Sequence, residues 1–397
     1  MRRLLASLWL CFFAAGVQAE DITLLSDAEV KAGKDLLEQF NTSPKFVNKH
    51  PDQEALLDAI KEQCEVGTAA VCLEYLFNNR SQVVAALPDN PPYWANFSQL
   101  LEGAPFGLEP AYAQQFRHPR TYWHDFLAAT EQWFYLQMAT EQTVAAEQIT
   151  HFYKQYRRLS ADSETLIEKM IFGAAIGIAH AQMQYLMSVY AARGDRDNIN
   201  VLLRAVRPFT TKERSLRKVM SAEAKWIKVN IGYMKRVDPN DFAHPEQVPT
   251  GPLPEVIAQL QQLADDELTT LVRQLGLISE RGWSDYWRLP PTLEEDDDEN
   301  LFGISPGTYV FYMSTVRSQE VIVHLLHALG DIHLGLAAPG EPQRPAPPYW
   351  EWSWQEDQQK ICLSPTQLAQ GKSDFDTYPA CLQYVSGAIV QGFLPQH

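Results

Sequence analysis

From Ser26 to about Leu336 apolar residues recur every three to four positions, and almost no strict alternation occurs before residue 340. That period gathers apolar side chains on one face of a helix. Start signals punctuate the pattern. Ser26-Asp27-Ala28-Glu29 and Thr210-Thr211-Lys212-Glu213 both read as capping boxes, in which the hydroxyl and the Glu cover orphan amides reciprocally. Pro51 suits the first turn of a helix through Ala55, Leu56, Ala59 and Ile60, and the next helix starts after Gly67 and runs through Leu76. Pro88 and Pro91-Pro92 break the chain before a shorter helix carrying Tyr93, Trp94, Phe97 and Leu100, and Gly103 to Pro119 reads as a loop. Long helices are predicted over 121–140, 144–159, 163–192, 197–207 and 211–237.

The helix from Ser163 contains a ten-residue apolar stretch, Met170 to Ala179, with Gly173 and Gly177 four apart. A membrane span needs about twenty such residues. His180, Gln182 and Gln184 interrupt this one, so it reads as a core helix whose glycines admit a close neighbour. After Pro339 the texture changes: five prolines lead to Trp350-Glu351-Trp352-Ser353-Trp354, whose alternation predicts a strand. A hairpin turning near 356–359 and returning through Ile361 and Leu363 follows, and 381–393 is readable as helix or strand. The expected fold is mainly α: an array of antiparallel helical hairpins, for which a solenoid is one way of stacking, with a small C-terminal β-containing element. No fixed repeat period is present. The expected divisions are a leader at 1–19, a helical domain at 20–338, and a Pro-rich linker with the β-containing segment at 339–397.

Arg2 and Arg3, the apolar run Leu4 to Val17, and Val17-Gln18-Ala19 before Glu20 have the pattern of a secretory signal peptide. Its short form and the Ala/Gln-rich helices point to a Gram-negative periplasm. The full chain carries a net charge of −16, which becomes −18 without the two leader arginines, disfavouring a nucleic-acid partner. Cys64, Cys72, Cys362 and Cys381 remain after cleavage, and in an oxidising compartment the close pairs Cys64 with Cys72 and Cys362 with Cys381 are the favoured one of three connectivities, with four free buried thiols as the alternative.

Catalytic motifs mostly fail on physical grounds. Gly303-Ile304-Ser305-Pro306-Gly307 has the spacing of a nucleophile elbow, yet Pro306 cannot donate the backbone N–H that an oxyanion hole requires. Ser215-Leu216-Arg217-Lys218 has a Ser-x-x-Lys spacing without its supporting Lys-Thr-Gly element. The acidic run Glu294 to Glu299 lacks the glycine of a calcium loop. No phosphate loop, dinucleotide fingerprint or other cofactor motif occurs.

Three binding candidates remain. Glu320, His324, His327 and Asp331 fall within about 60° of arc on one helix, so His324, His327 and Asp331 are candidate metal ligands. Positions 320 and 331 are about 16 Å apart along the axis, and the competing reading is the solvated face of an amphipathic helix. Residues 151–236 hold 16 Lys/Arg against 7 Asp/Glu, a net of +9 that leaves −27 on the rest of the mature chain. A strip containing Lys218, Lys225 and Lys228 is a candidate surface for an envelope protein or an anionic envelope polymer, or else packs beside the acidic ends. Trp350, Trp352 and Trp354 on one strand face form either a sugar-stacking platform or a face packed on the helices. The resulting expectation is an exported, non-enzymatic binding or scaffolding component of the cell envelope. The alternatives are an envelope carbohydrate-active enzyme on an α/α architecture and a periplasmic metal-binding protein.

Overall fold

The computed structural model describes residues 35, 55, 58–66, 69–86, 91–103, 120–140, 146–163, 165–232, 234–280, 301–302, 306–348, 350–366 and 380–394. The leader, the Ser26 capping box, most of the 103–119 loop, the acidic run and the 303–305 motif residues lie outside them. The fold is mainly helical with a small three-stranded antiparallel sheet near the C-terminus. A π-turn at Glu62–Val66 precedes α1 (Ala69–Asn78), α2 (Arg80–Ala86), α3 (Pro91–Glu102), α4 (Arg120–Ala139) and α5 (Ala146–Asp162). Then come α6 (Leu166–Ala192), α7 (Arg196–Ala205), α8 (Thr211–Arg214), α9 (Arg217–Gly232), α10 (Leu253–Glu280) and α11 (Pro306–His333). Strands β1 (Trp350–Gln355), β2 (Lys360–Pro365) and β3 (Ala380–Gln383) are followed by α12 (Gly387–Phe393).

Helix α6 is the centre. It packs against α4, α5, α7, α11 and α12, partners that are remote as well as adjacent in sequence, unlike the neighbour-only contacts of a solenoid. A helix buried on nearly every side must pair its polar groups internally. Lys169 donates to Ser160 O at 2.8 Å, Gln182 to Thr130 O at 3.0 Å, and Gln184 to Gln383 O at 3.0 Å. The neighbour that the Gly173 and Gly177 positions admit is α11, whose Gln319 side chain bonds Gly173 O. Thr165 caps the start of α6, accepting from Glu168 N. The far end is a Schellman turn: Asp195 N reaches Tyr190 O, Gly194 N reaches Ala191 O, and Gly194 takes φ +70°. Helix α11 stops in the same way at Gly335.

The paired aromatics of α3 to α6 form the interior. Phe97, Phe126, Phe152 and Phe172 make ring contacts of 5.7 to 5.8 Å, and Trp133 meets Phe152 at 4.7 Å. Trp350, Ile361, Leu363, Leu382, Val385 and Val390 join this same core, so the C-terminal segment is packed into the helical body. A second, smaller core lies between α9, α10 and the 237–248 turns.

One predicted helix is divided. The 211–237 pattern gives α8 and α9, separated by Ser215, which leaves the helical region at ψ 130°, and Leu216. Ser279 Oγ accepts from Leu216 N at 2.9 Å, so α10 takes up the backbone amide that a continuous helix would have paired, and Ser215 Oγ donates to Glu280 at 2.9 Å. The capping box at Thr210 and Glu213 is present.

That Glu213 also meets a deeply buried charge. Arg157, 2% exposed, places all five guanidinium N–H groups: Nε and Nη2 on the Glu213 carboxylate, Nη1 on Tyr153 Oη and Arg207 O, and Nη2 also on Pro208 O. Tyr153 Oη, accepting from Arg157, lies 3.1 Å from His180 Nε2 and can give its own proton to that nitrogen. Burial alone would raise the Glu213 carboxyl, but the Arg157 and Thr210 hydrogen bonds more than offset it and hold the group below its ordinary value.

Breaking such a pair from one side strands a buried charge. Arg157→Met is therefore expected to cost about 3 to 5 kcal/mol in urea unfolding, with Arg157→Met plus Glu213→Leu recovering part of it. A double variant less stable than the single would contradict this. Burial first, and the Arg157 charge second, hold His180 at about 3, against an ordinary value of 6.5. The unfolded chain then binds a proton that the folded one refuses, so stability falls as pH drops from 6.5 toward 3. His180→Gln should remove a slope of about 1.4 kcal/mol per pH unit, read as flatter urea midpoints between about pH 6 and 5. Parallel slopes in the two proteins would refute the assignment.

Candidate functional site

The Glu320 to Asp331 stripe faces the protein. Glu320, 4% exposed, accepts from Phe209 N and from Arg214 Nη1, both at 3.2 Å. Burial raises its carboxyl in spite of the Arg214 charge. His327 Nε2 lies 2.9 Å from Val206 O, and Asp331 accepts two hydrogen bonds from Arg344. His324 is half-buried, and burial, with His327 and Arg344 nearby, lowers its basicity. The stripe is thus not a solvated face: Glu320 and Asp331 are buried, and His324 and His327 are half-buried. Among the described residues, no group of three or more His, Cys, Asp or Glu side chains could hold a metal ion. Glu320 and His327, seven residues apart, serve the 206–209 connection, whose backbone carbonyls and one amide receive side-chain partners from α5, α8 and α11.

The basic strip is largely answered from within. Lys218 Nζ donates to Asp162 O at 2.6 Å, and Lys228 pairs with Asp265 at 2.5 Å. Lys212 pairs with Asp162, Arg214 with Glu320 and Arg217 with Glu280. Lys225 sits on α9, and its side chain lies outside the described residues. Ser215 and Lys218 point to different partners, Glu280 and the Asp162 carbonyl.

The register of the sheet fixes where the tryptophans go. Trp350, Trp352 and Trp354 lie opposite Pro365, Leu363 and Ile361, so they share a sheet face with the core residues Ile361 and Leu363. Trp350 is 8% exposed, and Trp352 and Trp354 are half-buried against the main core. Trp352 Nε1 donates to Arg344 O at 2.8 Å, drawing the Pro-rich segment back over the strand. The expected hairpin turn is a 3₁₀ turn at Glu356–Gln358, with Gln359 left-handed at φ +50°.

The opposite sheet face carries Lys360, Cys362, Cys381 and Gln383, because Lys360 pairs with Gln383 and Cys362 with Cys381. Cys362–Cys381 is a cross-strand disulfide, and Cys64–Cys72 joins the π-turn to α1. The two stapled segments meet beside α6: Ala69 N donates to Gln383 Oε1 at 2.7 Å, and Tyr185 Oη to Cys64 O at 3.1 Å. Between them lies a cleft of about 470 Å³, within the size range of small-ligand sites. Its helical wall comprises Glu131, Phe134 and Tyr135 from α4 and Ile178, Ala181, Gln182, Gln184 and Tyr185 from α6. Its other wall has Cys64, Ala69, Lys360, Cys381 and Gln383. Phe134 and Tyr185 stack at 6.0 Å. Gln182, 3% exposed, donates through Nε2, while its Oε1 has no hydrogen-bond partner.

Sequence reasoning recovered the cysteines that border this cleft but not its other lining residues. The available signal was the pair Gln182 and Gln184 inside an otherwise apolar helix, read only as an interruption.

Both disulfides border the cleft, so their reduction should open its wall. With closed loops of 8 and 19 residues in sequence separation, each bridge is expected to contribute about 2 to 4 kcal/mol. Dithiothreitol should lower the urea midpoint and raise hydrogen exchange at Ala69 and Gln383 more than in α9 and α10. Uniform exchange across both regions would refute that localisation. A comparison with protein-family models, curated proteins and solved structures finds no match for this chain.

Proposed function

We propose that this protein is an exported, non-enzymatic binding component of the cell envelope, and that its ligand occupies the cleft between α4, α6 and the disulfide-stapled sheet. The observation that carries the reading is the cleft itself, half-open and lined by aromatic residues, a lysine and glutamines. Concave, mostly apolar sites with a few polar groups are where small ligands bind. Export is supported by the two disulfides, which persist in oxidising compartments, together with the leader-like pattern at 1–19. Among the described residues no helix is long and apolar enough to cross a membrane.

The internal partners of Lys218 and Lys228 favour the cleft over the basic strip as the binding surface, since a second anion must compete with Asp162 O and Asp265. Of the earlier hairpin array, the consecutive packed pairs α5–α6 and α9–α10 support a local hairpin reading.

Ala181 lines the cleft from an exposed position on α6, so Ala181→Trp fills it without entering the core. Protein purified without denaturation from an envelope fraction should carry a non-covalent adduct in native mass spectrometry. The Ala181→Trp variant should lack that adduct at an unchanged thermal midpoint. Absence of an adduct from the parent protein, or its persistence in the variant, would overturn the reading.

A further inference from the structure

We infer that the cleft, together with the helix face that leads into it, holds a long-chain fatty acid, its carboxylate at Lys360 and its hydrocarbon chain along α6. The inference rests on the cleft being a ligand site, and it names the ligand class.

Helix α6 is buried on most sides, and the side it leaves open between Ile167 and Ala181 is apolar. Ile167, Met170, Ile171, Ala174, Ile178 and Ala181 fall within about 100° of arc at about 100° per residue. Ile167 and Met170 are 39% and 37% exposed, Ala174 and Ala181 are exposed, and Ile171 and Ile178 are half-buried. Neighbouring helices bound this strip on both flanks. On one, a Cβ added to Gly173 or Gly177 would stand 3.8 or 3.9 Å from the Gln319 side chain of α11. On the other, Phe172 meets Phe126 and Gln182 bonds Thr130 O, both on α4. The strip is therefore the floor of a groove between α4 and α11, and Ile178 and Ala181 continue it into the cleft.

The dimensions and the charge at the cleft end select the ligand. From Ile167 to Ala181 the floor runs about 21 Å, on a helix about 10 Å across. One acyl chain spans about half of a 30 Å bilayer core, so a single chain fits that length and two side by side do not fit the width. A protein partner needs about 800 Å² on each side, several times what the strip offers. The strip has no polar side chain to meet the backbone N–H and C=O groups of a peptide, whereas a hydrocarbon requires none. At the cleft end, Lys360 pairs across the sheet with Gln383, so its side chain stands on the sheet face that borders the cleft. It has no ion pair among the described residues, and a lysine ammonium there favours a carboxylate head group. Glu131 borders the same cleft from α4 and opposes a second negative charge, which selects a carboxylate over a phosphate monoester.

The test is equilibrium dialysis of the delipidated, disulfide-bonded protein against dodecanoate, octanoate and dodecanol, each below its micelle concentration. Dodecanoate should bind once per chain. Octanoate should bind at least about tenfold more weakly, because fewer methylenes lie on the strip. Dodecanol should also bind at least about tenfold more weakly, because the charge-assisted contact is gone. Lys360→Gln should abolish the difference between acid and alcohol while keeping the dependence on chain length. Ala174→Glu places a charge on the floor at an exposed position, so it should weaken dodecanoate at least about tenfold at an unchanged thermal midpoint. Equal binding of acid and alcohol, no dependence on chain length, or parental affinity in Ala174→Glu overturns the inference. An adduct lost in Ala181→Trp alongside such a failure leaves the binding reading standing with another ligand class. Absence of both the adduct and dodecanoate binding removes the two together.

Discussion

The buried Arg157 guanidinium organises the middle of this protein. A charge with almost no exposure is tolerable only when each donor is met, and here the partners come from four separate places: Glu213, Tyr153 and two successive carbonyls, Arg207 and Pro208. Through those bonds α5 is tied to the 207–208 backbone and to the start of α8. Through Tyr153 the network continues to His180 on the central helix. From the other side, Glu320 and His327 of α11 grip the same connection at Phe209 N and Val206 O. The connection carries backbone groups that regular secondary structure does not pair, so side chains from three helices complete them. This geometry is all-or-none, which is why a wrong partner at any one position leaves a buried polar group stranded.

The same rule governs α6. Its apolar length lets it pass through the interior, and its few polar residues connect it to specific neighbours: Lys169 to the end of α5, Gln182 to α4, and Gln184 to β3. Burial, reinforced by the Lys218 charge, lowers Lys169 to about 7, so this position sits where a protonated amine is poorly tolerated. Gln182 is the exception in the series, with its Nε2 bonded and its Oε1 buried without a hydrogen-bond partner, in a residue that borders the cleft. Contacts that fix the central helix therefore lie next to the region proposed to bind. The disulfides have a related effect at the periphery, fastening α1 and the sheet where short elements have little core of their own.

Much of the architecture was legible in the chain because helices and hairpins are local. The extents of α4, α5, α6 and α7 follow from the helical period to within about three residues, the Thr210 capping box is intact, and the turn before Lys360 lies where its polar residues suggested. Proximity in sequence also ranked the observed cysteine pairs first among three connectivities. The break at Ser215 was not legible, because the groups that stabilise it, Ser279 and Glu280, lie more than sixty residues away.

Sequence alone therefore determined the helical class, the strand hairpin and the candidates whose chemistry merited attention, and it favoured the cysteine pairing that the structure shows. It could not say what a spacing is for. Glu320, His327 and Asp331 share one helix face in either reading, but only packing decides that this face meets Val206, Phe209, Arg214 and Arg344. The three tryptophans share a strand face for the same local reason, and the register with Leu363 and Ile361 turns that face inward. The cleft belongs wholly to the tertiary structure: Glu131, Gln182 and Lys360 are far apart in sequence and become neighbours of one space only when the C-terminal sheet docks beside α6. Local periodicity sets which side a residue occupies, whereas long-range packing sets what stands opposite it, and binding depends on the second.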